Sequence, residues 1–135
     1  MTNVEERPLV LIIEDDEETA SALTMLLGDW GYSYLAANSA DAAVRALGPH
    51  VMEVRALITD FHLEDGFTGI MGARAVAKAV GHPIPTLVTT GFLDLEPFLV
   101  RSFPVLSKPF DPTLLKQWLY RHLESDDPAP LKDDR

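Results

Sequence analysis

Leu9-Val10-Leu11-Ile12-Ile13-Glu14-Asp15-Asp16 decides how this chain folds. Five apolar residues, preceded by Pro8, run directly into three acids. An unbroken apolar run of this length reads as a β-strand buried on both faces, as in a parallel sheet covered by helices. Its carboxyl end delivers clustered carboxylates to one place. Like charges held together are unfavourable unless something compensates them. For oxygen-only ligands the usual compensator is a hard cation such as Mg²⁺. Taken alone, Glu14–Glu18 reads more simply as the acid-rich first turn of a helix.

Other strand ends reverse that balance. Arg55-Ala56-Leu57-Ile58-Thr59-Asp60 is a second short apolar run that turns acidic at its end. Pro85-Thr86-Leu87-Val88-Thr89-Thr90-Gly91 is β-branched and ends in a hydroxyl and a glycine. Val105-Leu106-Ser107-Lys108-Pro109-Phe110 ends at an ammonium. Acid, acid, hydroxyl and ammonium thus close four strands in chain order. Open parallel sheets bind ligands just beyond the carboxyl ends of their strands.

Between these strands the pattern is helical. A helix over 17–29 carries Ala20, Leu23, Leu27 and Trp30 along one face and stops at Gly31. Tyr32–Ala37 reads as a strand, and Asn38 or Ser39 caps a helix with Ala43, Val44 and Leu47 that Gly48-Pro49 ends. A loop after Asp60 contains Gly66 and Gly69, read as turn glycines. Ala73, Val76, Ala77 and Val80 mark the next helix, closed by Gly81-His82-Pro83. Strands are expected over about 85–90 and 104–107. Asp111 as N-cap and Pro112 at the first position open a last helix with Leu115, Trp118, Leu119 and Leu123. Alternation of this kind predicts a doubly wound α/β fold, a parallel sheet with helices on both faces and right-handed crossovers.

The 135 residues suffice for one domain with one substantial core. The absence of cysteine excludes disulfides and thiolate chemistry. A formal net charge of −10 argues against a nucleic-acid partner. No apolar run approaches bilayer-spanning length and the N-terminus lacks a signal core, so no membrane association and a cytoplasmic location are expected. Residues 1–6 read as a flexible N-terminus, 7–124 as the domain and the charged, proline-containing 125–135 as a disordered tail.

At the four strand ends the sequence resembles the receiver domain of bacterial two-component response regulators, over residues 7–124. The matching motifs are Leu11-Ile12-Ile13-Glu14-Asp15-Asp16, Leu57-Ile58-Thr59-Asp60, Val88-Thr89-Thr90-Gly91 and Lys108-Pro109-Phe110. The resemblance implies a flavodoxin-like, five-stranded parallel sheet of order 2-1-3-4-5. It makes Asp60 the phosphorylated residue, with Glu14 and Asp15 the acidic pair that holds Mg²⁺ and Asp16 just outside it. Asp60 itself and the backbone carbonyl of His62 would complete the protein ligands. Thr90 becomes the switch hydroxyl, with Thr89 the neighbouring candidate, and Lys108 the phosphate-pairing lysine, followed by a cis peptide. The implied phosphodonor is a phosphohistidine on a sensor histidine kinase or a histidine phosphotransfer protein, and the implied output is binding of a downstream protein target. The chain would catalyse only its own phosphorylation and dephosphorylation, so it is not expected to be an enzyme in the ordinary sense. With no output module in sight, a stand-alone receiver is expected, and Thr90-Gly91-Phe92 resembles a stand-alone subgroup with a Thr-Gly-aromatic element.

Two departures matter. Receivers often carry an aromatic residue three positions before the lysine, and here Val105 stands there. The stretch from Thr90 to Lys108 is short for a helix with both connections and contains Pro97, so the helix there should be short or irregular and the switch should repack Phe92 and 92–103. Two alternatives stand beside the receiver reading. A phosphatase of the haloacid dehalogenase type uses a similar residue set but wants an acid two positions after its nucleophile, where this chain has His62. A pseudo-receiver interaction module would require a broken acidic pocket.

Overall fold

In a computed structural model, residues 8–61, 69–91 and 103–124 are described. The expectations for the N-terminus, His62, Gly66, Phe92, the helix before residue 103 and the 125–135 tail lie outside them. Among the described residues, five strands and four α-helices follow in the order β1 (Leu9–Ile13), α1 (Glu17–Asp29), β2 (Ser33–Ala37), α2 (Ala40–Leu47), β3 (Val54–Asp60), α3 (Gly69–Val80), β4 (Thr86–Thr90), β5 (Val105–Ser107) and α4 (Pro112–Leu123). The strands form one parallel sheet of order β2-β1-β3-β4-β5, as the resemblance implies.

Alternate residues of the central strands feed two separate cores. Leu11, Ile13 and Leu57 meet Ala40, Ala43 and Leu47 of α2 and Ala73, Val76 and Val80 of α3 on one face. Val10, Ile12, Ile58, Leu87 and Leu106 meet Leu23 and Leu27 of α1 and Leu115 and Leu119 of α4 on the other. Each fully buried Leu, Ile or Val here stabilises the fold by about 1.5–3 kcal/mol relative to exposure. This two-sided burial is why β1 shows no polar alternation. The exception in β3 is Arg55, which is exposed. The register jumps there, Leu9 facing Val54 and Val10 facing Ala56, so Arg55 is the extra residue of a bulge.

The helix boundaries follow their caps. The Asp16 side chain accepts from the Thr19 amide at 3.0 Å and the Thr19 hydroxyl at 2.5 Å, which starts α1. Ser39 caps α2 through the Ala42 amide, and Asp111 caps α4 through the Thr113 amide. Gly31, Gly48 and Gly81 supply the positive φ values that end α1, α2 and α3. Gly48-Pro49 ends α2 as expected, but a 3₁₀ segment, Gly48–Glu53, then carries the chain into β3. Its Val51 packs on the first core, an anchoring the sequence did not advertise.

One glycine needs correcting. Gly69 is not a turn glycine: it opens α3 and has no positive φ. A Cβ placed on it would lie 2.4 Å from the Asp60 carbonyl oxygen and 3.2 Å from Phe61 Cα. Its amide donates to the Phe61 carbonyl at 2.8 Å. Glycine is required because the helix start presses directly on the backbone that carries Asp60.

Candidate functional site

The ladder runs past the end of each strand. Beyond β1, the Glu14 amide donates to Ala37 of β2 at 2.9 Å. Beyond β3, the Phe61 amide donates to Thr89 at 2.9 Å, and beyond β5 the Lys108 amide donates to Thr90 at 2.8 Å. The residues at the strand ends are therefore held by sheet hydrogen bonds and not by free loops. After Lys108 the Lys108–Pro109 peptide is cis, Phe110 packs against the second core and Asp111 starts α4, so the lysine is anchored on both sides.

These elements bring Glu14, Asp15 and Asp60 together. Each offers a carboxylate oxygen, and the three oxygens lie within 4.8 Å of one another. Glu14 and Asp60 are buried, Asp15 half-buried. The Lys108 ammonium enters the same space, 3.1 Å from Glu14 Oε1 and 3.4 Å from Asp60 Oδ1. Its approach to Glu14 Oε1 is an ion pair without hydrogen-bond alignment to that oxygen. Glu14 Oε2 accepts from the Asp16 amide at 3.2 Å. The Asp16 side chain instead caps α1.

The electrostatics are those of an undercompensated anionic pocket. Burial, and then the neighbouring Asp60 charge, push the Glu14 carboxyl above its ordinary value, against the pull of the Asp16 amide and Lys108. Burial alone would lower Lys108, but the Asp60 and Glu14 carboxylates outweigh it and hold the ammonium charged. Asp16 is held below the usual carboxylate range by the hydroxyl and amide of Thr19. Among the described residues three carboxylates face one ammonium, a surplus of negative charge. The donor set among the described residues is all oxygen, and at this spacing it fits a hard divalent cation.

The two threonines of β4 take different places. Thr89 is the register partner of Asp60, and Thr90 lies one step further toward the carboxyl edge, opposite Ser107. Both are fully buried. Thr90 shares a strand face with Val88, whose partner is Val105, so the position where receivers often hold an aromatic residue lies beside the threonine's face here with only a valine. The Lys108 contact with Glu14 is a feature that sequence reasoning misses, because the two residues lie far apart in the chain and carry separate expected roles. Among the described residues, no helix is long and apolar enough to cross a membrane.

No protein-family model matches the chain, and no curated protein matches it. Solved structures do. The signal receiver domain of an HD domain-containing protein from Pseudomonas fluorescens Pf-5 is 25% identical, with 87% of this chain and 95% of that one covered and a TM-score of 0.73. The Vibrio cholerae chemotaxis protein CheY4 is 22% identical over 87% of this chain and 99% of its own, also at 0.73. A response regulator receiver domain protein from Clostridium thermocellum is 22% identical over 85% and 93%, again at 0.73.

Proposed function

The chain is a response regulator receiver domain by its fold, and from that premise we propose that it is a phosphorylation-dependent signalling switch with Asp60 as its phosphoacceptor. One observation carries this reading: the buried Asp60 carboxylate sits within an acidic trio and 3.4 Å from the Lys108 ammonium. A carboxylate accepts a phosphoryl group when the surrounding charge is neutralised, and phosphoryl transfer depends mainly on positioning and electrostatics. An Asp60 oxygen attacks phosphorus, the P–N bond of a donor phosphohistidine breaks, and the imidazole keeps the bonding pair. Lys108 then exchanges its contact with the carboxylate for a charge-assisted bond to a phosphoryl oxygen. Thr90 donates its hydroxyl to another.

Asp15 and Asp60, with Glu14 beside them, would hold Mg²⁺; when bound it neutralises phosphoryl oxygens during transfer. The like-charge surplus in the pocket supports that assignment. The donor class is a sensor histidine kinase or histidine phosphotransfer protein, the output a downstream protein, and the setting cytoplasmic. The chain catalyses only the gain and loss of its own phosphoryl group.

Incubation with acetyl phosphate and Mg²⁺, read by intact mass, tests this. One phosphate increment is expected on the wild-type protein and none on Asp60→Ala. An unchanged increment in that variant overturns the assignment.

A further inference from the structure

We propose that Thr89 supplies a second hydroxyl to the phosphorylated state of Asp60, beside that of Thr90; the inference rests on Asp60 being the phosphoacceptor. Strand β4 lies between β3 and β5, so the Lys108 side chain must cross it to reach Asp60. Thr89 is the β4 residue level with Asp60. Ile58, Leu87 and Leu106 pack in one core, which places Asp60 and Thr89 on that same face of adjacent strands, roughly 4.8 Å apart. Thr89 thus lies beneath the Lys108–Asp60 ion pair.

Its hydroxyl is also out of the ordinary. Thr89 is fully buried, and Oγ1 has no hydrogen-bond partner among the described residues. Thr59, as fully buried in β3, and Thr86, slightly more open in β4, each donate to a backbone carbonyl, of Asp60 and Ile84 respectively, at 3.1 Å. An orphaned buried hydroxyl costs stability, and valine of the same shape would avoid that cost. A phosphoryl group brings new acceptor oxygens to Asp60. Rotation about χ1 exchanges the threonine methyl and hydroxyl between staggered positions without changing the volume filled. Thr89 can therefore turn its donor toward the acyl phosphate only when that group is present. The unphosphorylated state bears the cost, and the phosphorylated state is favoured by its relief.

Thermal melting with Mg²⁺ across a beryllium fluoride titration, which mimics the acyl phosphate, tests this on the wild type, Thr89→Val and Thr89→Ser. Thr89→Val should melt higher than wild type without the mimic and need about five- to tenfold more of it for half-maximal stabilisation, the loss of one hydrogen bond. Thr89→Ser keeps the hydroxyl and should keep the wild-type midpoint even where it melts lower. A responsive wild type with an unchanged midpoint in Thr89→Val overturns the inference alone. A wild type that neither responds to the mimic nor gains phosphate overturns the phosphoacceptor reading and this inference with it.

Discussion

Gly69→Ala and Gly72→Ala place the same methyl group on the same helix and should act in opposite directions. At Gly69 the new Cβ would stand 2.4 Å from the Asp60 carbonyl oxygen, inside the 3.0 Å that real Cβ contacts respect, so backbone must move by at least 0.6 Å. The obstacle is main chain on both sides and cannot swing aside. Overpacking of this kind costs about 1–3 kcal/mol. The gain in helix propensity offsets at most about 1 kcal/mol. With the full offset the net loss is up to about 2 kcal/mol, which lowers Tm by up to roughly 10 °C for a domain of this size. At Gly72 the Cβ meets Ala40 Cβ at 3.5 Å and Ile13 Cδ1 at 3.9 Å, ordinary contacts, so the propensity gain stands and Tm should rise by a few degrees. The variants should also differ in function. Displacing Asp60 by about half an ångström is expected to slow phosphorylation by acetyl phosphate roughly tenfold, since about 1 Å of misplacement costs on the order of a hundredfold. Gly72→Ala should react at the wild-type rate. Differential scanning calorimetry and timed intact-mass measurements give both readouts. A Gly69→Ala protein that melts at or above wild type and takes up phosphate at the same rate would refute the close-approach argument.

Further outcomes are expected elsewhere. Mg²⁺ should raise Tm relative to EDTA at matched ionic strength, and Asp15→Asn should remove most of the difference; an equal rise in that variant places the metal elsewhere. Lys108→Met leaves the Glu14 and Asp60 carboxylates together without their ammonium and should cost about 3 kcal/mol, with a larger Mg²⁺ rescue than wild type in the same melts. Tyr32, buried behind α1, donates its hydroxyl to Glu124 after α4, and Tyr32→Phe should lose about 1–2 kcal/mol in urea unfolding at unchanged m-value. Burial and then Arg121 depress the His122 pKa, so the fold prefers the neutral ring. Stability should therefore fall shallowly as pH drops below the ordinary 6.5, where the unfolded chain takes up the proton first, and His122→Gln should flatten that slope in melts from pH 7 to 5.

The sheet was legible because its central strands are buried on both faces. Leu9–Ile13 and Ala56–Thr59 could be little else, and the acids, hydroxyls and lysine that follow them fall at the carboxyl edge in any parallel arrangement. The caps Asp111 and Ser39, the latter one of the pair Asn38 or Ser39, mark two helix starts by side-chain chemistry alone, whereas Asp16 as the cap of α1 emerges only in the structure. What could not be read depends on distances between elements. Gly69 looks like a turn residue until α3 is laid against β3. Nothing local couples Lys108 to Glu14, ninety-odd positions away. The 3₁₀ segment after Gly48 is held by Val51 reaching the core, and no propensity announces that. Thr89 and Thr90 are chemically alike in sequence, and only the β3–β4 register shows that Thr89 is the one level with Asp60.

The hydrogen bonds from Phe61 to Thr89 and from Lys108 to Thr90 make the last two residues of β4 a yoke. One carbonyl holds the strand of Asp60, the next holds the strand of Lys108. The two charged groups start two strand spacings apart, roughly 10 Å, and lysine's four-methylene stem spans most of that gap. Side-chain reach is thus a matched dimension of the site: the yoke fixes the gap and the lysine is long enough to close it. A shorter cation at position 108 would keep its charge and its backbone tether but fall short of Asp60, as would a lysine whose strand had been widened by a bulky residue beneath it.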